Sequence, residues 1–236
     1  DLTLAAEENG IQAIIGAEVT LEDASHLTLL VASPAGYRNL CRLLTIAHHH
    51  VAEGEDLHAA HPARLPLAAL PAHAEGLILL TGCRHGRLSQ LVDADDLPAA
   101  RACLQQYQQW FGAENVYVEL QRNLVRGDMR RIARLVQIAA DCDAEIVATG
   151  NAHYHRVERA PLQDVMVAIR QRTTMEGSAR ERRPNSEWAL PSAALMQQRF
   201  RRYPQALANT LRIAERCRGF NMRTDFTYQF PEYASD

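Results

Sequence analysis

Five short apolar runs, rich in leucine and β-branched residues, constrain the fold of this chain more than any other feature of its sequence. Each run has the length and composition of a buried strand, and the five cover residues 11–19, 27–32, 77–81, 116–120 and 146–149. Between them, apolar residues recur at helical spacing over residues 36–47, 98–111 and 129–140. This alternation predicts an α/β fold, either a barrel or a doubly wound sheet. In both, functional groups lie just beyond the carboxyl ends of the strands.

After residue 160 the strand pattern disappears. The sequence then predicts a helix, an irregular arginine-rich stretch that runs through Pro184, and two further helices over residues 193–200 and 204–216. The chain begins, at residues 1–10, with the pattern of a helix in mid-course that leads directly into a strand. We therefore expect that a further segment precedes this sequence in the natural protein.

The distribution of charge divides the chain more clearly than any linker does. All 25 basic residues are arginine; residues 1–155 carry 11 of them against 19 Asp and Glu, whereas residues 156–218 carry 13 against 6. All ten histidines lie in the first part. An acidic, histidine-rich part followed by an arginine-rich one suggests a metal or phosphate site and then a region near nucleic acid. A solvated helix face is the alternative interpretation for Arg182, Arg183, Arg201 and Arg202.

Composition excludes several classes of protein. Without lysine there is no P-loop or Schiff-base chemistry, so kinases and P-loop ATPases are excluded. The five cysteines are scattered and contain no C-x-x-C pair, so neither a disulfide framework nor a zinc ribbon is expected. No apolar run is long enough to span a membrane. These features predict a cytoplasmic protein with no membrane partner.

Four residues with metal-binding side chains follow or flank the predicted strands. Glu18 ends the first strand, His26 opens the second, Cys83 closes the third, and His153 follows the fifth. Carboxylate, imidazole and thiolate groups at converging strand ends can hold Zn, Mn or Fe, which activate water against a phosphate ester. Taken singly, each residue also has a structural interpretation, since a free cysteine is usually a small buried hydrophobe.

Six segments along the chain form an ordered series of motifs: GIQAIIGAEV, HLTLLVASPAGYRNLCRL, GLILLTGCRHG, VYVELQRN, IVATGNAHY and ALANTLRIAERC. This series resembles the polymerase-and-histidinol-phosphatase (PHP) domain of bacterial C-family DNA polymerases. The LTGC segment and the asparagine of the fifth segment look more like the error-prone branch of that family than the replicative DNA polymerase III alpha subunit. The resemblance implies a distorted (β/α) barrel of seven strands that binds up to three metal ions through as many as nine ligands.

Transferred to this sequence, the resemblance makes Glu18, His26, Cys83 and His153 metal ligands. Asn151 stands where the family has a metal-bridging aspartate, and a neutral amide is a much poorer ligand for a hard cation. The first two family motifs, an H-x-H pair and a downstream Asp-His, would lie before residue 1. We therefore expect an incomplete barrel and at most half of the metal cluster, with His85 as a residue that orients a ligand.

The resemblance also divides the chain into three parts. Residues 1–158 correspond to the PHP domain, residues 159–220 to a mainly helical, arginine-rich connector toward the polymerase palm, and residues 221–236 to the start of the palm. The catalytic aspartates of the palm, which bind two Mg ions, would lie outside this chain. The connector arginines would neutralise DNA phosphates or pack against the acidic surface of the barrel.

Three hypotheses for the function follow. The first is an N-terminally truncated PHP-domain portion of an error-prone DNA polymerase, mainly structural by itself, whose complete form copies damaged DNA. The second is a stand-alone metal-dependent phosphoesterase or 3′-5′ exonuclease, and the third is an interaction module without enzymatic activity. The segments ALANTLRIAERC and TYQFPEY favour the first, because they look like the entry into a polymerase and have no use in a small phosphatase.

Overall fold

Five strands form one sheet, in the same order as they occur along the chain. The computed structural model describes residues 2–49 and 63–225. Its strands are β1 (Gly16–Thr20), β2 (His26–Val31), β3 (Leu77–Leu80), β4 (Val116–Gln121) and β5 (Glu145–Thr149). Its α-helices are α1 (Leu2–Glu8), α2 (Pro34–His49), α3 (Arg87–Asp93), α4 (Leu97–Phe111), α5 (Asp128–Asp141), α6 (Ala160–Arg170), α7 (Ala193–Arg199) and α8 (Pro204–Arg216). The predicted α/β class is therefore confirmed.

The sheet is mixed. β1 pairs antiparallel with β2, and β2 pairs antiparallel with β3, whereas β3, β4 and β5 are parallel neighbours. The connection between β1 and β2 is a short turn, in which the Asp23 carboxylate accepts hydrogen bonds from the Ser25 amide at 2.9 Å and the Ser25 hydroxyl at 2.6 Å. The described residues contribute five strands, and the seven-stranded barrel stays a prediction.

The first predicted strand is too long. Residues 11–15 run outside β1, which begins only at Gly16. Gly10 ends the α1 segment with a φ of +64°, and Ile11 after it is 65% exposed. Ile15 still accepts a hydrogen bond from the Val31 amide at 2.8 Å, but the regular pairing stops there. The apolar run therefore indicated a strand in its second half only, because the first half pairs with no strand among the described residues.

Helices cover both faces of the sheet. Alternate residues of β2, β3, β4 and β5 pack into a large core against α2, α3, α4 and α5. The residues between them form a smaller cluster on the opposite face, which α8 covers. That cluster consists of Ile78, Leu80, Tyr117, Val147, Ile213 and Cys217. Because α8 and the turn that follows it supply two of its members, this last helix and the sheet share a core.

Asn209 fixes α8 to the last strand of the sheet. Its side-chain amide donates hydrogen bonds to the Glu145 carboxylate at 2.8 Å and to the Ile146 carbonyl at 2.9 Å.

α7 and α8 lie where the sequence predicted helices. The division at residues 158 and 220 stays a prediction, and the segment TYQFPEY lies outside the described residues. Of the helices that the structure describes, none combines the length and apolar character needed to cross a bilayer.

Candidate metal centre

The strand directions bring the predicted ligands to one edge of the sheet. The parallel strands β3 and β5 end at this edge, with Cys83 three residues beyond β3 and His153 four residues beyond β5. Because β2 is antiparallel to β3, its amino-terminal residue His26 lies at the same edge. Glu18 lies inside β1 opposite Thr28, and not at the strand end that the sequence predicted. The antiparallel hairpin therefore supplies two of the candidate ligands.

Glu18, His26 and Cys83 form a compact group, here called the trio. The His26 Nδ1 atom lies 3.4 Å from the Glu18 Oε1 atom and 3.8 Å from the Cys83 Sγ atom. One ligand atom from each residue lies within 4.8 Å of the other two. The Cys83 residue is 6% exposed, while the Glu18 side chain is 50% exposed, so the group has a buried end and an open end.

The turn after β3 holds Cys83 against His26. Gly82 has a φ of +86°, and a Cβ atom at this position would lie 2.3 Å from the His26 carbonyl oxygen. The His26 amide donates to the His85 carbonyl at 3.1 Å, and the His85 amide donates to the Cys83 sulfur at 3.4 Å. Only glycine tolerates both this backbone conformation and this close approach. The main chain of His85 therefore positions both His26 and Cys83.

Burial controls the protonation of Cys83. It raises the pKa of the thiol, an effect opposed by the hydrogen bond from the His85 amide and reinforced by the carboxylates of Glu18 and Glu119. A thiol with a raised pKa is protonated at neutral pH, and a bound cation reverses this because it stabilises the thiolate. The cysteine is therefore more suited to binding a metal ion than to acting as a free nucleophile.

Glu119 is a site residue that the sequence analysis missed. Cross-strand pairing places Glu18, Thr28, Leu80 and Tyr117 on one face of the sheet, and Glu119 follows Tyr117 on that face by strand alternation. A carboxylate within the apolar strand VYVELQ was the available signal.

The Glu119 carboxyl group is buried and only half satisfied. Its Oε1 atom accepts hydrogen bonds from the Thr149 hydroxyl at 2.5 Å and the Gln121 amide at 2.8 Å, whereas its Oε2 atom has no partner among the described residues. Burial, reinforced by the charge of Glu18, raises the pKa of Glu119, while these two hydrogen bonds and the Gly82 backbone oppose the rise. An orphaned buried carboxylate oxygen beside the trio fits a site that either holds a cation or keeps this group protonated.

His153 lies in the same cavity but is held by an arginine. The Arg183 Nη2 atom is 2.5 Å from the His153 Nε2 atom, and the Asn151 Oδ1 atom is 3.1 Å from that same nitrogen. Because a guanidinium can only donate, it uses the lone pair that a metal ion would need. Burial, followed by the charges of Arg183 and Arg170, lowers the pKa of His153 to about 4. The structure thus keeps His153 neutral but engaged, and does not place it in the trio.

Arg183 brings the connector into the site. Its guanidinium carbon also lies 5.1 Å from the centre of the Trp188 ring, a cation–π distance. The cavity has a volume of about 290 Å³, and the trio, Glu119, His153 and Arg183 all line it.

Of the other connector arginines, Arg182 pairs with Asp164 at 3.4 Å. Arg201 and Arg202 line a different cavity, so the four arginines do not form one surface.

The trio offers three donor atoms close enough together to hold one metal ion. Oxygen, nitrogen and sulfur are donor types that Zn²⁺ accepts. The amide of Asn151 and the engaged imidazole of His153 do not add donors in this arrangement. The described residues therefore support a site for a single ion beside a pocket that contains a fixed guanidinium.

Comparison with known proteins identifies the family of this chain. A sequence model described as "PHP domain" matches residues 1–123, which is more than half of the chain. The chain belongs to the PHP domain family. The resemblance expected from the sequence motifs is therefore confirmed, and the trio lies within the matched residues of the PHP domain.

Several curated proteins are similar to this PHP-domain chain over most of its length. The error-prone DNA polymerase of Symbiobacterium thermophilum is 37% identical over 225 residues, which cover 90% of the chain and 20% of that protein. The DNA polymerase III subunit alpha of Treponema pallidum is 30% identical over 88% of the chain and 18% of its own length. Error-prone DNA polymerase 1 of Agrobacterium fabrum is 31% identical over 98% of the chain and 19% of its own length. The chain thus spans about one fifth of these relatives.

Proposed function

We propose that this chain is the PHP-domain portion of an error-prone DNA polymerase and that its trio binds one divalent transition metal ion. The observation that carries the proposal is the convergence of Glu18, His26 and Cys83 within 4.8 Å in a PHP-family chain. The similarity to error-prone polymerases over 90% or more of the chain supports the assignment to a polymerase. A polymerase of this kind acts on the bacterial chromosome in the cytoplasm, with DNA and the rest of its own chain as partners.

The chain's contribution to such an enzyme is mainly structural. An ion held by the trio would tie β1, β2 and the turn after β3 together at one edge of the sheet. Metal sites that are absent from the unfolded chain add their binding free energy to folding. A bound Zn, Mn or Fe ion would also supply Lewis acidity at the open end of the trio. Arg183 keeps a positive charge in the same cavity, which Glu119 also lines as a buried carboxyl group.

Elemental analysis of the purified chain tests this proposal. We expect about one ion per chain after dialysis, and less than about 0.2 in Cys83→Ser, because the buried thiolate is the softest of the three donors. His153→Ala should retain the ion, because Arg183 already engages that imidazole. No bound metal in the wild-type chain, or two to three ions lost in both variants, would contradict the single-ion proposal.

A metal-dependent phosphoesterase or 3′-5′ exonuclease is the second candidate. It is favoured by the guanidinium groups of Arg84, Arg170 and Arg183, which line the same cavity as the trio and suit a phosphate ester. Metal-dependent release of phosphate from a generic ester, abolished by Glu18→Ala, would establish this activity. Retention of that release in Glu18→Ala would assign it to a contaminant.

A further inference from the structure

A second cavity contains an unusual concentration of positive charge. It has a volume of about 140 Å³ and opens where the end of β4, the start of α5 and the corner between α7 and α8 meet. Four arginines line it together with apolar and aromatic residues. The complete lining consists of Arg122, Met129, Ile132, Arg199, Phe200, Arg201, Arg202 and Tyr203.

The charge in this cavity is largely unneutralised. Arg199 forms an ion pair with Glu187, and Arg122 donates one hydrogen bond to the Arg199 carbonyl at 3.0 Å. The side chains of Arg201 and Arg202 make no hydrogen bond or ion pair with any residue that the structure describes. Within the described ranges, no Asp or Glu lines the cavity. Three of the four arginines that line the cavity therefore lack an acidic partner among the described residues, in a chain whose formal net charge is −3.

The cavity combines a buried apolar floor with exposed charges. Its floor contains Phe200 at 1% exposed and Ile132 at 2% exposed, both in the main core. The ion pair between Arg199 and Glu187 further fixes the corner that carries Arg201. Positive groups that line one cavity without an acidic partner repel one another, and an anion bound among them removes this repulsion.

We infer that this cavity binds a phosphate group. The planar guanidinium groups offer forked pairs of N–H donors, which match the oxygens of a phosphate better than they match a single carboxylate oxygen. The phosphate belongs to a DNA backbone or to a small phosphorylated molecule, and both present the same chemistry. The cavity is separate from the metal centre, so the inference stands whether or not the trio binds an ion.

A double variant with a matched control tests the site. Arg201→Ala/Arg202→Ala removes two exposed cations from the cavity, and Arg38→Ala/Arg42→Ala removes two cations from α2. The first probe is a fluorescein-labelled single-stranded oligonucleotide, measured by anisotropy at several salt concentrations. The second is inorganic phosphate, measured by calorimetry. Both probes are used on the whole chain.

We expect the cavity variant to bind the phosphate-bearing probe about tenfold or more weakly, and the α2 variant to bind it like the wild type. For DNA, the slope of log K against log salt should become less steep by about 0.7 for each phosphate that the variant no longer neutralises. Loss of DNA and phosphate binding together identifies a backbone phosphate. Loss of phosphate binding alone identifies a small phosphorylated ligand.

Equal weakening in both double variants would overturn the inference, because it would show a general effect of charge. Binding of neither probe by the wild-type chain would overturn it as well. Arg201→Lys/Arg202→Lys keeps the charge but removes the forked donors, so affinity between that of the wild type and the alanine variant is expected. Metal content measured in the same variants should be unchanged, which separates this test from that of the metal centre.

Discussion

Replacing Arg183 with alanine should increase the affinity of the chain for a divalent transition metal ion by roughly 10- to 100-fold. The Arg183 guanidinium uses the His153 Nε2 lone pair at 2.5 Å and places a positive charge in the cavity that contains the trio. A metal ion that recruits His153 as a fourth ligand must first break this bond. Without Arg183, the imidazole is free and the repulsion between two cations is gone.

The magnitude follows from the bond that is removed. A hydrogen bond to a charged group contributes about 1.5–3 kcal/mol, and each 1.4 kcal/mol corresponds to a tenfold change in affinity. Arg183 is only partly buried, so solvent screening places the expected gain below the upper end of this range. The neighbouring Arg182 provides the control, since it pairs with Asp164 and does not line the cavity.

Competition with a chromophoric zinc chelator at fixed pH measures the affinity directly. Arg183→Ala should gain affinity, Arg182→Ala should not, and Arg183→Ala/His153→Ala should lose most of the gain. Thermal unfolding of each metal-free variant checks that the fold is retained. Unchanged or weaker zinc binding by a folded Arg183→Ala protein would refute the idea that the connector arginine competes with the metal.

Three further predictions concern stability. Glu119→Gln should flatten the pH dependence of the free energy of unfolding of the metal-free protein. Folding raises the pKa of Glu119 above its usual value of 4.5. Its stabilising contribution is therefore present below pH 4.5 and is lost as the pH rises above that value. Urea unfolding with EDTA at pH 5 and pH 8 measures this. The same change in unfolding free energy between the two pH values in the wild type and the variant would contradict it. Asp128→Ala should lower the free energy of unfolding in urea by about 2–4 kcal/mol, because this buried carboxylate accepts two backbone N–H bonds. The exposed ion pair between Asp141 and Arg101 should contribute less than about 1 kcal/mol. Gly82→Ala should lower both the thermal midpoint and the metal content, since the new Cβ would meet the His26 carbonyl at 2.3 Å; a normal metal content would argue against the role assigned to this turn.

Local patterns predicted most of the helices and strands, because amphipathic spacing directly reflects which side of an element is buried. The helix at Pro204–Arg216 begins and ends where the sequence predicted, at a proline and at the last residue of the periodic pattern. The start of the first strand was predicted wrongly, since hydrophobicity does not show whether a pairing partner exists. Strand direction was equally inaccessible, and the position of His26 beside the end of β3 depends on it.

The candidate site was predictable only in part. The motifs pointed to Glu18, His26 and Cys83, which the structure brings together. They gave no indication that Arg183, 30 residues beyond His153 in sequence, contacts that imidazole. This contact depends on the path of an irregular loop, which has no periodicity to interpret. Glu119 was missed for the opposite reason, because the apolar residues around it indicated ordinary core and outweighed the signal of its carboxylate.

The position of α8 on the sheet has a consequence for synthesis on the ribosome. Ile78, Leu80, Tyr117 and Val147 leave the ribosome well before Cys217, the last member of their cluster and 70 residues after Val147. At bacterial translation speeds this interval lasts roughly 4 to 14 seconds. For that time, one apolar face of the nascent sheet has no cover from α8, and it presents a natural binding surface for a chaperone.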